Sequence, residues 1–560
     1  MFAQFLEAQP LTKGCLRGLK AALIVLVAGL LISPASLAEH DDHDHGGEVA
    51  DEVELGEVDF RVDCMDGVRE DFDRALALMH HMMYAQARGA FADLKDKDPE
   101  CAMAYWGVAT TLFQPLWGTR PSEDELKRGW KNIQKAAELA DEPREKALVD
   151  ATHAFFKDPD SAEFWDRLNG WIDGMAAAHN DFPDDLDITS LHGLALLTKA
   201  QEADDHHALH DEAEPLLRAV WEQERKHPGA IHYSIHATDA DGRAKNALDM
   251  VEIYAQIAPN TAHALHMPSH IYVRLGDWPQ VIEWNEQSAE AALDHPANDS
   301  ISHHFIHAID YIIYARLQRG EDELAREIHN ESTAKGRHEA SFVNAFHFAA
   351  MPARLAVEGR KWEEAVDLEV REPDYLPWDQ SHWPEGMTWY ARGLAAAHTG
   401  DLSAAEEAKQ EMARLREEAR EAGERRMATY IEVDRLILSG WIAHARDDGE
   451  TAVEQIRSAL ELEGTVEKHP VTPGALLPPG EALGDLLMAL NRPDEAFEAY
   501  RESDETWPGR YNTLLGMARA ARQADKPDQA EKAYQRLLDN AGESDRDGVA
   551  EARQALADLQ

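Results

Sequence analysis

Apolar and polar residues seldom alternate along this chain. Long stretches interleave Ala and Leu with Glu and Arg, and runs of alternating Val, Ile and Thr are few, so the pattern predicts helices throughout and no convincing strand. The helices come in units. His232 with His236 and His266 with His270 form two His-x3-His pairs 34 residues apart, and the glycines that close their helices, Gly242 and Gly276, keep the same step. A period of 34 is that of stacked two-helix hairpins. Towards the C-terminus Gly484, Asp494-Glu495-Ala496 and Tyr500 recur 34 residues on as Ala518, Asp528-Gln529-Ala530 and Tyr534. Further hairpin turns are signalled at Gly276-Asp277-Trp278, Arg319-Gly320-Glu321, Glu358-Gly359-Arg360 and Ala445-Arg446-Asp447. The expected fold is all-α: a solenoid of about eleven helical hairpins over residues 61–541, with a Pro/Gly-rich insertion at 464–480 and a capping helix over 542–560.

Composition adds a compartment and removes some partners. At 560 residues the chain exceeds one ordinary core, which suits a repeat array. Its formal charge of -50 excludes nucleic-acid binding, which needs clusters of Lys and Arg, and disfavours anionic membrane surfaces. The same charge is that of a solvated acidic exterior. Lys13, Arg17 and Lys20 precede an apolar run from Ala21 to Ile32, then Pro34 and Ser36-Leu37-Ala38. This reads as a secretory signal over 1–38, cleaved before Glu39, against the alternative of an uncleaved anchor. The mature protein is then periplasmic or secreted, with no membrane contact. Residues 39–60 carry His40-Asp41-Asp42-His43-Asp44-His45 and almost nothing apolar, so they form a disordered linker or a metal-gathering tract.

Two cysteines remain beyond the signal, Cys64 and Cys101, each just before the opening helix of a repeat. Such helices run parallel in a solenoid, so their starts are neighbours. In an oxidising compartment the pair is expected to form a disulfide; the alternative is two buried thiols.

Residues i and i+4 share a helix face, so His232, His236, His266 and His270 are expected to converge on one patch. His263 shares that face, as does Arg274 one turn beyond His270. Taking Gly320 as the next turn places His307, Asp310 and Tyr314 at the corresponding positions of the following repeat, with His303 one turn earlier, and His347 and Arg354 extend the stripe. Neutral imidazole is the commonest nitrogen ligand of zinc and copper, and two His-x3-His helices supply four-coordination. The candidate metal residues are therefore His232, His236, His266, His270, His263, His307 and Asp310, with Asp239 a further ligand or base. The alternatives are a hydrogen-bonded polar seam and a pH-sensitive peptide groove. His80-His81-Met82-Met83 offers nitrogen and sulfur donors suited to copper, or plain core filling. The chain shows no Gly-rich phosphate loop, nucleophile elbow, His-Glu-x2-His or haem-attachment motif.

Ala87, Phe91 and Pro99 fit the closing pattern of a tetratricopeptide unit, and Trp389, Gly393, Gly400 and Ala405 fit its opening. The chain resembles the bacterial tetratricopeptide repeat (TPR) proteins. More narrowly, Cys101-Ala102-Met103-Ala104-Tyr105-Trp106-Gly107, His80-His81 and the stretch from His263 to Tyr272 resemble a secreted group of them. The resemblance implies a right-handed superhelix whose first helices line a concave groove that binds proteins or peptides. It places the histidine stripe in that groove, with Arg274, Tyr314, His347 and Arg354 as further groove residues. Pro268 departs from the repeat pattern and should kink its helix. The expected function is an exported TPR scaffold for a protein or peptide partner, with a His-lined groove suited to a transition metal, zinc or copper. The alternative is a metal-dependent enzyme or a metal carrier using the same cluster.

Overall fold

The computed structural model describes residues 54–117, 120–157, 163–203, 205–297, 299–544 and 546–559. The expected signal sequence and residues 39–53 of the expected linker lie outside the described residues. Residues 54–60, expected to be disordered linker, pack on the array instead: Leu55 and Phe60 are buried, and Glu57 N donates to Lys226 O at 3.0 Å. Regular structure among the described residues is helical, with isolated β-bridges such as Ala297 to Ser300 and Ile301 to His338 beside it. Twelve helical hairpins follow one another, from Arg69–His80 with Tyr84–Lys97 to Tyr511–Gln523 with Pro527–Asn540, and the helix Asp547–Leu559 packs on the last. The count exceeds the eleven expected because the hairpins between 123 and 223 turn without glycine. Their helices start instead on Pro143 and on the capping carboxylates of Asp185 and Asp205, which accept from Ile188 N and Ala208 N. None of the described helices is long and apolar enough to cross a membrane.

Packing is that of stacked helical hairpins. Each helix lies against the next, and first helices of adjacent hairpins also touch, as Trp383–Thr399 does with both Leu402–Glu421 and Arg425–His444. The Gly484/Tyr500 pair of the repeat explains itself: a Cβ on Gly484 would stand 2.6 Å from the Tyr500 ring, so only glycine lets the two helices close. Cys64 and Cys101 are joined by a disulfide with Cα atoms 4.7 Å apart, tying the strand-like entrance of the chain to the second hairpin.

The coil closes on itself. Gly276, left-handed at φ +68°, lies so close to the Pro508 carbonyl that a Cβ would meet it at 2.7 Å. Beside it Trp278 donates to Gly509 O at 2.9 Å, Arg510 reaches Tyr314 Oη at 2.9 Å and pairs with Glu358 and Glu481, and Arg546 pairs with Asp322. The C-terminal hairpins thus cover the middle ones, where the sequence leads one to expect an open groove.

The insertion completes the closure. Lys468 donates to Asp239 Oδ2 at 2.8 Å, and Arg354 donates to Gly474 O at 2.8 Å and Thr472 Oγ1 at 2.7 Å. The Tyr311 hydroxyl lies 3.2 Å from both Pro470 O and Thr472 O. The groove assignment of Arg274, Tyr314, His347 and Arg354 is therefore corrected. Tyr314, His347 and Arg354 are buried, and Arg274 keeps only 5% of its side chain exposed, because residues 464–480 fill the inner face.

Candidate metal centre

Four elements supply the histidines: Pro228–Thr238, the broken pair Ala262–His266 and Pro268–Leu275, His303–Gln318 and Phe342–Glu358. Pro268 has no N–H to offer the preceding turn, so one backbone bond is missing at this point, while Met267 keeps right-handed helical angles. His266 ends one segment while His270 belongs to the next. Their Nε2 atoms face each other at 3.0 Å.

The protons on these rings follow from their partners. Asn285 Nδ2 donates to Val281 O at 2.7 Å, which turns its Oδ1 towards His266 Nδ1 at 2.6 Å, so that nitrogen carries the hydrogen. Asp239 Oδ2 can only accept, at 2.7 Å, so His270 Nδ1 donates. Asp310 accepts from His347 Nδ1 at 3.0 Å, leaving His347 Nε2 to accept from His307 Nδ1 at 2.8 Å. Nε2 of His266, His270 and His307 is then in each case the bare lone pair. The three residues can bring nitrogens within 4.8 Å of one another.

Two lone pairs 3.0 Å apart repel unless a proton or a metal ion stands between them. A proton is disfavoured: burial, then the neighbouring imidazoles, hold His266 and His307 well below their ordinary pKa, and burial also lowers His270 despite Asp239. A metal ion fits. Metal–imidazole bonds of about 2.0–2.1 Å put ligand nitrogens roughly 2.9–3.4 Å apart for right-angled to tetrahedral geometry. Anchoring of Nδ1–H by a carboxylate, an amide or another ring is how ligating histidines are oriented.

A second group adjoins the first. His232, His236 and His263 likewise bring ring nitrogens within 4.8 Å of one another. His232 Nδ1 donates to His80 O at 2.6 Å, leaving Nε2 bare. That Nε2, and both nitrogens of His236 and of His263, are buried without a hydrogen-bond partner, as is His307 Nε2. All six imidazoles are at most 7% exposed. The four histidines of the two pairs adjoin one another, His236 standing 5.4 Å from His270, but the close nitrogen groups each take in a further ring: His266 and His270 with His307, and His232 and His236 with His263.

Asp310 is also corrected. Its Oδ1 accepts from Arg354 at 2.9 Å and its Oδ2 from His347, so it orients a ring and offers no oxygen to the nitrogens of His266, His270 and His307. Asp239 plays the same part for His270, with Arg274 at 2.9 Å and Lys468 at 2.8 Å. Burial alone would raise the Asp239 carboxyl, but Lys468, Arg274 and His270 outweigh it and hold it well below the ordinary value. His303 pairs with Glu339 at 2.8 Å. Asn285, Lys468 and Thr472 escaped the sequence reading. No local pattern marks them, and Lys468 meets Asp239 across 229 residues of chain.

The same interior contains histidines that need no ion. His80 lies 3.1 Å from Tyr233 Oη and 3.2 Å from Asp187 Oδ1, and His227 Nε2 donates to that same oxygen at 3.2 Å while its Nδ1 caps Ala230 N. His81 lies between Tyr254 Oη at 2.9 Å and Leu55 O at 3.0 Å. Every ring nitrogen there has a partner. The copper reading of His80-His81-Met82-Met83 is accordingly replaced by a structural one, with both methionines in the core.

No family model matches the chain, and no curated protein matches it. Among solved structures the chain is similar to the APC/C hetero-tetramer Cut9–Hcn1, at 12% identity over 87% of this chain and 90% of that one, with a TM-score of 0.33. It is similar to yeast Tom70 at 12% identity over 88% of this chain and 96% of that one, again with a TM-score of 0.33. Neither likeness bears on the histidines.

Proposed function

We propose that this is an exported metalloprotein in which His266, His270 and His307 hold one transition-metal ion, zinc or copper, inside a closed TPR-type solenoid. The observation that carries it is the 3.0 Å approach of two Nε2 atoms whose rings have both committed Nδ1–H elsewhere. Three imidazoles leave a fourth position for water or substrate, the ligand count of a reactive centre instead of a closed structural one. Their fixed supports and full burial suit a resident ion better than cargo, so we favour a metal-dependent enzyme over a carrier. The disulfide agrees with export to the periplasm or beyond, since such bonds persist in oxidising compartments. A protein partner, the other expectation of a bacterial TPR protein, would dock on the outer surface, because the inner face is filled.

Elemental analysis of protein purified without a His tag tests the proposal. One or more zinc or copper ions per chain are expected, and His266→Gln/His270→Gln should lose the ion held there. Metal-free protein that takes up neither zinc nor copper on reconstitution overturns it.

A further inference from the structure

Five buried ring nitrogens of His232, His236 and His263 have no hydrogen-bond partner. Leaving a buried polar group unpaired costs about 1–3 kcal/mol, and natural cores seldom accept that repeatedly at one point. His80, His81 and His227, on neighbouring elements, have both ring nitrogens paired, and His192, His304, His338 and His469 each leave only one unpaired, whereas His236 and His263 leave both, side by side with His232. We propose that His232, His236 and His263 hold a second ion beside the first, so that six imidazoles form a dinuclear copper centre whose remaining positions take a small bridging ligand such as hydroxide. The inference rests on the first site being a metal site.

Three observations place the two ions together. The His232 ring centroid lies 5.0 Å from both His236 and His263, so the triad is compact. His236 stands 5.4 Å from His270, and His263 stands 5.9 Å from His266, so the triads share a wall. Trp117 packs at 5.4 Å on both His263 and His307, closing one side of the pair. Tyr311 covers another, 4.5 Å from His266 and 5.2 Å from His307.

The charge balance selects copper. The carboxylates nearest the rings, Asp239 and Asp310, are already matched by Lys468, Arg274 and Arg354. Neither is left to neutralise a pair of divalent ions, and pairs of zinc, iron or manganese ordinarily draw on carboxylates for that. Neutral imidazoles suit copper, which as Cu(I) brings one charge per ion and as Cu(II) can share a bridging hydroxide. A narrow cavity lined by His210, His236, Asp239, Glu467 and Lys468 gives a route inward. At one edge of it His206, His207 and Glu467 make a further three-donor group, with His207 exposed.

The test uses full-length mature protein without a tag, loaded anaerobically with Cu(I) against a chelator, desalted and analysed for copper per chain. We expect two coppers in the native protein and one in His236→Gln/His263→Gln. After oxidation the native pair should give a weak or broadened Cu(II) resonance signal, and the variant a full mononuclear signal from its single copper. One copper in the native protein, unchanged in the variant, overturns the second site and leaves the first standing. Two coppers retained in the variant overturn its location, and two zinc ions with no copper overturn the metal. No ion in either protein overturns both readings. The stoichiometry of the native protein decides between one and two whether or not the variant folds.

Discussion

His266 and His270 are four residues apart on one face of a helical stretch that lacks a backbone bond at Pro268, and their Nε2 atoms meet at 3.0 Å. Met267 keeps right-handed helical angles, φ -54° and ψ -39°, so the i, i+4 spacing itself sets the two rings side by side.

Replacing that proline should therefore leave the site in place. Pro268→Ala restores the missing backbone bond, so the metal-free variant should melt no lower than the native protein. Its affinity for the first ion, measured by chelator competition, should stay close to the native value. A tenfold loss would show that the proline shapes the site.

Asp239 should matter to both. Its carboxylate holds His270, Arg274 and Lys468 at 2.7, 2.9 and 2.8 Å. Asp239→Asn strips Lys468 of its hydrogen-bonded carboxylate and leaves Arg274 on Asp241 and Glu467 alone, a loss of about 3 kcal/mol by analogy with other broken buried pairs. Affinity for the ion should also fall about 10–100-fold, the usual effect of removing a group that orients a ligating histidine. Asn285→Ala should weaken binding with a smaller drop in stability, since no charge is stranded. Denaturant melts and metal competition on both variants check the difference.

The repeat and the chemistry were legible in the sequence to different depths. The 34-residue step of His232/His266 and Gly242/Gly276 follows from local helix geometry, and both glycines are left-handed; Gly276 caps its helix as expected, whereas the helix before Gly242 already ends at Thr238 and Gly242 lies in the turn that follows. The neighbouring starts of the first two repeats bring Cys64 to Cys101 for the same reason. What the stripe does not carry is its closure. The insertion at 464–480 looks like a surface loop, yet Lys468, Thr472 and Gly474 occupy the inner face through contacts more than 100 residues away in the chain. Asp310 sits at a ligand's place in the repeat, and only the positions of Arg354 and His347 reveal that both its oxygens are spoken for.

Acid should unfold the protein by way of histidines outside the metal site. Burial holds His81 and His192 down to about 4 and His398 down to about 3, against 6.5 when unfolded. The unfolded chain then binds more protons than the folded one between those values, so stability is present above pH 6.5 and is lost progressively as pH falls towards 4. Melting temperature measured from pH 7 to pH 4.5 should fall steadily. His398→Phe should flatten part of that slope, and an unchanged slope would remove His398 from the account.

A second titration runs in the opposite sense over an overlapping range. Burial pushes Glu463 up to about 7, against an opposing hydrogen bond from Trp507 Nε1 at 3.2 Å. A raised carboxyl favours the folded state while protonated, so its contribution is present below about 4.5 and lost as pH rises through 7. Indole emission should change with a midpoint near 7, and Glu463→Gln should abolish that step.

The most direct measurement is an anomalous difference map from crystals of tag-free protein, recorded at the absorption edge of the metal found by elemental analysis. The account predicts a peak about 2 Å from Nε2 of His266, His270 and His307. Crystals of protein incubated with copper and zinc that show no anomalous density between those three nitrogens would contradict it.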